Sequence, residues 1–193
     1  MRLAHSTILI MLRWLALLVA CGATVGHADE YGDVNQLLRV GKLSAAMMKV
    51  DVYLASKPKD PQMRFLKGVI QNSSGNKPDA ISTFTRLTED YPELPEPYNN
   101  LAVLYAGQNQ LDKALAALEM AIRTNPDYAT AHENLGDVYA KLASQSYSRA
   151  LQLDNSSTTA QTKLARMGEL FSPSTAPPRD ATVTPAASSL KTR

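Results

Sequence analysis

Two places in the sequence carry residue types that could do chemistry. The first is His132-Glu133, with Asp137 four residues beyond the Glu. His-Glu opens the zinc-protease motif, in which a second His one helical turn on completes the ligand pair and the Glu acts as general base. The position for that second His holds Gly136, so the motif fails. A lone imidazole makes no metal site, and His132 reads as a packing residue of a helix. Glu133 and Asp137 fall on one helix face, where two carboxylates could hold a cation or share acid and base roles. Acid–base work needs burial to push the two pKa values apart, and carboxylates near a helix start are favourable without such a role. No glycine-rich phosphate loop, nucleophile elbow or dinucleotide fingerprint occurs. The expectation is a protein that is not an enzyme, with no catalytic residue, no metal, no cofactor and no small-molecule substrate.

The second place is Cys21, the one cysteine of the chain. Alone it builds neither a disulfide framework nor a thiolate zinc site. Its surroundings read as an address. Arg2 and Arg13 are basic, no acidic residue precedes Asp29, Trp14 to Ala20 is apolar, and Gly26-His27-Ala28 supplies small residues three before and one before a cut. That order is a secretory signal peptide over residues 1–28. Spanning a membrane takes about 20 apolar residues in a row, and Arg13 interrupts the run from Ile8 to Ala20. A second processing route stays open. Leu18-Val19-Ala20-Cys21 resembles the bacterial lipoprotein box, in which the Cys becomes a lipidated first residue. Cleavage after Ala28 is preferred because helical patterning starts just beyond it. Either route sends the chain to the periplasm or cell envelope, and a membrane is a partner only if Cys21 is lipidated.

The whole chain has 193 residues, 20 Lys+Arg against 18 Asp+Glu, and 45% apolar residues. That length allows one domain, or one domain with appendages, and the apolar share allows a packed core. A net charge of +2 is too small for the basic footprint of a nucleic-acid binder. Without Arg2 and Arg13, 18 basic residues balance 18 acidic ones.

The elements that would position any site come from a repeat. Pro58, Pro92 and Pro126 are 34 residues apart, as are Ala46, Ala80 and Ala114, and Gly41 and Gly75. Val50, Phe84 and Leu118 keep the spacing with apolar residues, and Gly68, Ala102 and Gly136 with small ones. Tyr98, Leu101, Ala102 and Tyr105 fall at i, i+3, i+4 and i+7, one face of a helix opened by Pro95 or Pro97. Gly107 to Gln110 is a polar turn, and Leu111, Ala114, Leu115, Leu118, Ala121 and Ile122 form the face of a second helix. Such a pair cannot bury its apolar face alone, whereas stacked neighbours can. Met47-Met48, Met63 and Met120 read as core filler.

Tyr98-x2-Leu101-Ala102-x2-Tyr105, Ala114-x3-Leu118, Ala121 and Pro126 together resemble the tetratricopeptide repeat. The resemblance covers roughly 29–155 and is strong for 61–139. Arg64, Lys67 and Gln71 depart from it, replacing large apolar residues of a first helix. It implies an all-α fold, a right-handed α-solenoid of antiparallel helix pairs over 29–171, with repeats near 29–60, 61–94, 95–128 and 129–155. The fourth repeat is irregular. Tyr139 to Ala150 is 11 residues where Tyr105 to Ala121 is 16, and no Gly or Pro occurs from Asp137 to Met167. Leu135, Tyr139, Leu142, Ser146, Ala150 and Leu153 keep helical spacing across the gap. The expectation is one fused helix over about 130–153, about 36 Å long, with a tight turn at Ala143–Ser146 as the alternative. Ser156 or Ser157 then caps a last helix over 157–171. Residues 172–193 are mostly Pro, Ala, Ser and Thr and read as a disordered tail, or a linker to a further domain.

In this family the first helices line a concave groove that commonly binds peptides. The corresponding stripe is Gln62, Phe65, Val69 and Asn72, then Glu96, Asn99, Val103 and Ala106, then Thr130, Glu133, Asp137 and Ala140. Asn100 and Asn134 lie beside it, where family members often place an Asn that holds a peptide backbone. The stripe holds three carboxylates and no Lys or Arg, so the resemblance implies a peptide or protein partner with basic and apolar side chains. The family's clamp for a C-terminal carboxylate uses Lys and Arg there and is not expected. The reading is an exported interaction or scaffolding module. The alternatives are an accessory part of an envelope enzyme and a lipid-anchored assembly factor.

Overall fold

A computed structural model describes residues 26–171. The leader through residue 25, with Cys21, and the tail 172–193 lie outside the described residues. Eight helices, with no strand among the described residues, follow in order: α1 Gly26–Arg39, α2 Leu43–Ser56, α3 Pro61–Ser73, α4 Lys77–Asp90, α5 Pro95–Gly107, α6 Leu111–Thr124, α7 Ala129–Leu153 and α8 Thr158–Leu170. The starts of α2, α4 and α6 are 34 residues apart, as are those of α3, α5 and α7.

The period is written into the turns. Gly41, Gly75 and Asn109 recur at that spacing, and all three take positive φ, at 70°, 80° and 58°. Each closes a first helix in the left-handed conformation and lets the next amide reach back five residues: Lys42 to Leu37, Asn76 to Gln71 and Gln110 to Tyr105. The second helices end before Pro58, Pro92 and Pro126, which cannot continue them. Pro61 and Pro95 open first helices, where the missing N–H has no helical partner to lose. Asp60 caps α3 by accepting from the Met63 amide at 2.7 Å.

The core consists of three apolar clusters, each built from one helix pair and the first helix of the next. Val34, Val50, Tyr53, Met63 and Ile70 join α1, α2 and α3. Phe65, Phe84, Leu87, Leu101 and Leu104 join α3, α4 and α5. Ala102, Leu111, Leu118, Ala131 and Val138 join α5, α6 and α7. This chaining makes the molecule a solenoid. Full burial of a side chain such as Phe84 contributes about 1.5–3 kcal/mol. Gly68 is small because the Phe84 ring lies on it; a Cβ there would meet Cε1 and Cζ at 2.7 Å.

The polar departures in α3 have partners. Arg64 pairs with Asp90 at 2.6 Å and lies over the Tyr91 ring, Lys67 pairs with Asp51 at 2.8 Å, and Gln71 accepts from the Thr83 hydroxyl at 2.7 Å. Polar links thus stand where the repeat pattern has apolar bulk. The first pair is tied to α3 by hydroxyls: Tyr31 donates to Asp60 at 2.7 Å and meets the Tyr53 hydroxyl at 2.9 Å. Burial, then these bonds and the Asp60 charge, push the Tyr31 hydroxyl well above the usual phenol range.

The fused helix is present: α7 runs unbroken through Ala143–Ser146. The next place in the period, 143, holds an Ala that stays helical where Gly or Asn turns the earlier helices. α8 packs on the second half of α7, with Ser157 as its cap and Ala160 buried. The continuous α7 face read from Leu135 to Leu153 is corrected in part. Tyr139 is 51% and Leu153 75% exposed, because no second helix lies in the usual place to cover them. Met48 is corrected too: it is exposed on α2, not core.

Candidate functional site

α5 and α7 lie side by side with α6 beneath, and a cleft of about 280 Å³ opens between them. α5 supplies Ala102, Val103 and Ala106; α7 supplies Asn134, Asp137 and Lys141; Leu118 of α6 forms part of the floor. The helix period puts these residues there: 134, 137 and 141 share one face of α7, and 99, 102, 103 and 106 one face of α5. The small Ala102 and Ala106 keep the cleft open, and Val103 is 46% exposed, an apolar surface awaiting contact.

A partly buried amide pair braces the two helices. Asn134 Nδ2 donates to Oδ1 of Asn99 at 2.7 Å, and Asn99 is buried. A primary amide has two N–H groups and a carbonyl, so Asn134 retains a donor and an acceptor at the cleft. Asn100 turns inward along its own helix and donates to the Glu96 carbonyl at 2.9 Å. Glu133 and Asp137 are exposed and have no ion-pair partner among the described residues. Glu96 is half-buried, and its charge adds to burial in raising the Tyr128 hydroxyl above its usual range.

Several expected site residues land elsewhere. Phe65 and Val69 do not line a groove: both are buried in the second core cluster, with the Phe65 ring centroid 5.5 Å from that of Phe84. Large apolar side chains at those places fill the space toward α5, so the protein's own core occupies that part of the stripe. Gln62 is half-buried beside them. Val103, Asn134 and Asp137 come together, with Glu133 one turn before Asp137. His132 is exposed rather than packed, and its Nε2 lies 2.8 Å from the Pro126 carbonyl, tying the start of α7 to the preceding loop. Lys141, which lies outside the stripe as read from the sequence, also lines the cleft. Its signal was available: it sits four residues after Asp137, on the same face. Among the described residues no group of His, Cys, Asp and Glu is arranged to hold a metal.

A second, more apolar cleft of about 280 Å³ lies between α1 and α2, where Met48 and Val52 are 64% and 76% exposed beside Glu30 and Lys49. No helix among the described residues is long and apolar enough to cross a membrane.

Comparison with known proteins fits the geometry. A family model described as a tetratricopeptide repeat matches residues 62–93, and one described as a TPR repeat matches residues 104–142. The chain carries tetratricopeptide repeats. These repeats are similar to the chloroplastic tetratricopeptide repeat domain-containing protein PYG7 of Arabidopsis thaliana, at 31% identity over 125 residues, 62% of this chain and 35% of that protein. The chain thus spans little more than a third of that relative's length. Among solved structures, the thermophilic TPR protein TTC0263 of Thermus thermophilus superposes with a TM-score of 0.57 at 25% identity, over 75% of this chain and 82% of that one. The Yersinia enterocolitica type III secretion chaperone SycD, solved with a peptide of the translocator YopD, shares the fold with a TM-score of 0.54 at 14% identity, over 59% of this chain and 92% of that one.

Proposed function

We propose that the repeats form an exported, non-catalytic interaction module that holds an extended segment of a partner protein in the α5–α7 cleft. The carrying observation is the cleft itself: exposed Val103 and an Asn134 with spare donor and acceptor lie beside the unpaired carboxylates of Asp137 and Glu133. Val103, Ala102 and Ala106 suit an apolar side chain, Asn134 suits a backbone amide, and Asp137 with Glu133 suits a Lys or Arg. Lys141 at the far end favours a segment whose charge is not uniformly basic. SycD, with the same fold and a peptide bound, supports the class of partner. Export rests on the leader read from residues 1–28, and mass spectrometry of the mature N-terminus tests it: Asp29 without modification supports the soluble form, acylated Cys21 the anchored one.

The binding test uses the full chain and two labelled peptides, one alternating apolar residues with Lys and one alternating them with Glu. The Lys peptide should bind and the Glu peptide should not. Asp137→Lys with Glu133→Lys should weaken the Lys peptide about tenfold, equivalent to about 1.4 kcal/mol, and 0.5 M salt should weaken it as well. Binding indifferent to these reversals and to Asn134→Ala would remove the cleft from the reading.

A further inference from the structure

We propose that the cleft has an occupant of its own: the C-terminal segment 172–193 of the same chain, lying over Asp137 and Glu133 and competing with outside partners. This rests on the cleft being a binding surface.

The fused helix is what brings the segment there. α8 runs antiparallel to the second half of α7, as two ring contacts show. Lys163 Nζ lies 5.4 Å from the Tyr147 ring centroid, and Lys141 Nζ lies 6.0 Å from that of Phe171. As α8 advances from 163 to 171, it therefore returns along α7 from 147 to 141. Lys141 is a cleft residue. The last described residue, Phe171, thus has its ring beside the Lys141 ammonium at the cleft's edge, 43% exposed, and Lys141 itself lies about one helical turn from Asp137.

Charge and reach agree with that placement. Among the described residues, Glu133 and Asp137 beside the cleft have no ion-pair partner. The segment 172–193 carries Arg179, Lys191 and Arg193 against a single acid, Asp180. From Lys141 back to Glu133 is about 12 Å of helix. The eight residues from Phe171 to Arg179 extend to about 26 Å, so Arg179 reaches either carboxylate with slack. Pro173, Pro177 and Pro178 favour extended backbone, and the small Ala, Ser and Thr around them fit a cleft of about 280 Å³ floored by Leu118. A short tether gives an effective concentration on the order of millimolar, so weak contacts are enough to fill the cleft.

The test places a nitroxide label at Thr182→Cys in the full chain, with Cys21→Ser, and reads amide signals by NMR. Val103, Asn134 and Asp137 should be attenuated, independently of protein concentration. Arg179→Gln, Lys191→Gln and Arg193→Gln together should relieve the attenuation, as should Glu133→Lys with Asp137→Lys. Attenuation unchanged by these substitutions, or rising with protein concentration as a neighbour's tail would make it, overturns the proposal. A second measurement uses the Lys peptide of the binding test. The triple Gln chain should bind it about fivefold tighter than the unaltered chain, as expected if the tail fills the cleft about 80% of the time. Equal affinities overturn tail docking while leaving peptide binding standing. If the peptide binds neither chain and the label senses no cleft residue, both readings fall together.

Discussion

Gly68 and Gly136 occupy the same place in the 34-residue period, and their environments differ. At Gly68 an added methyl would meet Cε1 and Cζ of Phe84 at 2.7 Å. That ring is fully buried and faces Phe65, so it has nowhere to retreat. At Gly136 an added methyl would meet nothing within 4 Å, because the fused helix leaves no second helix to press against it. Gly68→Ala should therefore destabilise the protein by about 1–3 kcal/mol through overpacking. Gly136→Ala should stabilise it by about 1 kcal/mol through helix propensity alone. Paired urea melts check this, and equal shifts of the same sign would mean the two sites are packed alike. At this scale the sequence was legible only as far as residue size. It revealed that both positions are small, and not that only one must be. Phe65 and Val69 share that limit: their spacing placed them on the groove stripe, while their bulk and the facing Leu101 and Leu104 drew them into the core.

The helices themselves were largely readable, because the features that end them are local. Asn109 stands where Gly41 and Gly75 stand, at φ 58°, and its Oδ1 also accepts from Gln145 of α7 at 3.1 Å. Asn tolerates that conformation and a β-branched residue does not. Asn109→Val should cost about 1–3 kcal/mol, whereas Asn109→Gly should stay within about 0.5 kcal/mol of the unaltered protein, trading a surface hydrogen bond for backbone ease. Thermal melts of both variants distinguish this from a turn set by packing alone, which would make the two substitutions equivalent. The same logic made α7 legible. Ala143 offers no left-handed stop, and five residues are missing where the turn would be, so the helix continues. The face that α8 would cover was not legible. Pairing depends on where the chain returns, which no spacing within α7 encodes, and so Tyr139 and Leu153 emerged exposed. Lys141 entered the cleft for a related reason: the stripe drifts along a helix this long, and its next member was Lys141 rather than Ala140.

For the molecule as a whole, a solenoid's stability is a sum over neighbours, and here the neighbours are unequal. Residues of α3, α4, α5 and α6 dominate the second and third clusters, with Phe84, Leu87 and Leu118 fully buried. In α7 and α8 together only Ala131, Val138 and Ala160 are buried, and two of these belong to the half of α7 that faces α5 and α6. The α7–α8 hairpin beyond Ala143 is thus held by half-buried Tyr147, Leu151, Leu164 and Met167 and by ring contacts of Lys141 and Lys163. Segments with so few buried apolar contacts open locally at free energies well below global unfolding. Amides of α8 and of residues 144–153 should exchange about tenfold or more faster than those of α3 to α6, with the first half of α7 between them. Ala160→Asp, which puts a charge into the hairpin's single buried position, should speed exchange in α8 and in residues 144–153 and leave α4 unchanged. Hydrogen exchange read by mass spectrometry resolves these segments. If the substitution accelerates α4 as much as α8, the eight helices open as one unit, and the end of the solenoid that carries the chain back to the cleft is no more mobile than its centre.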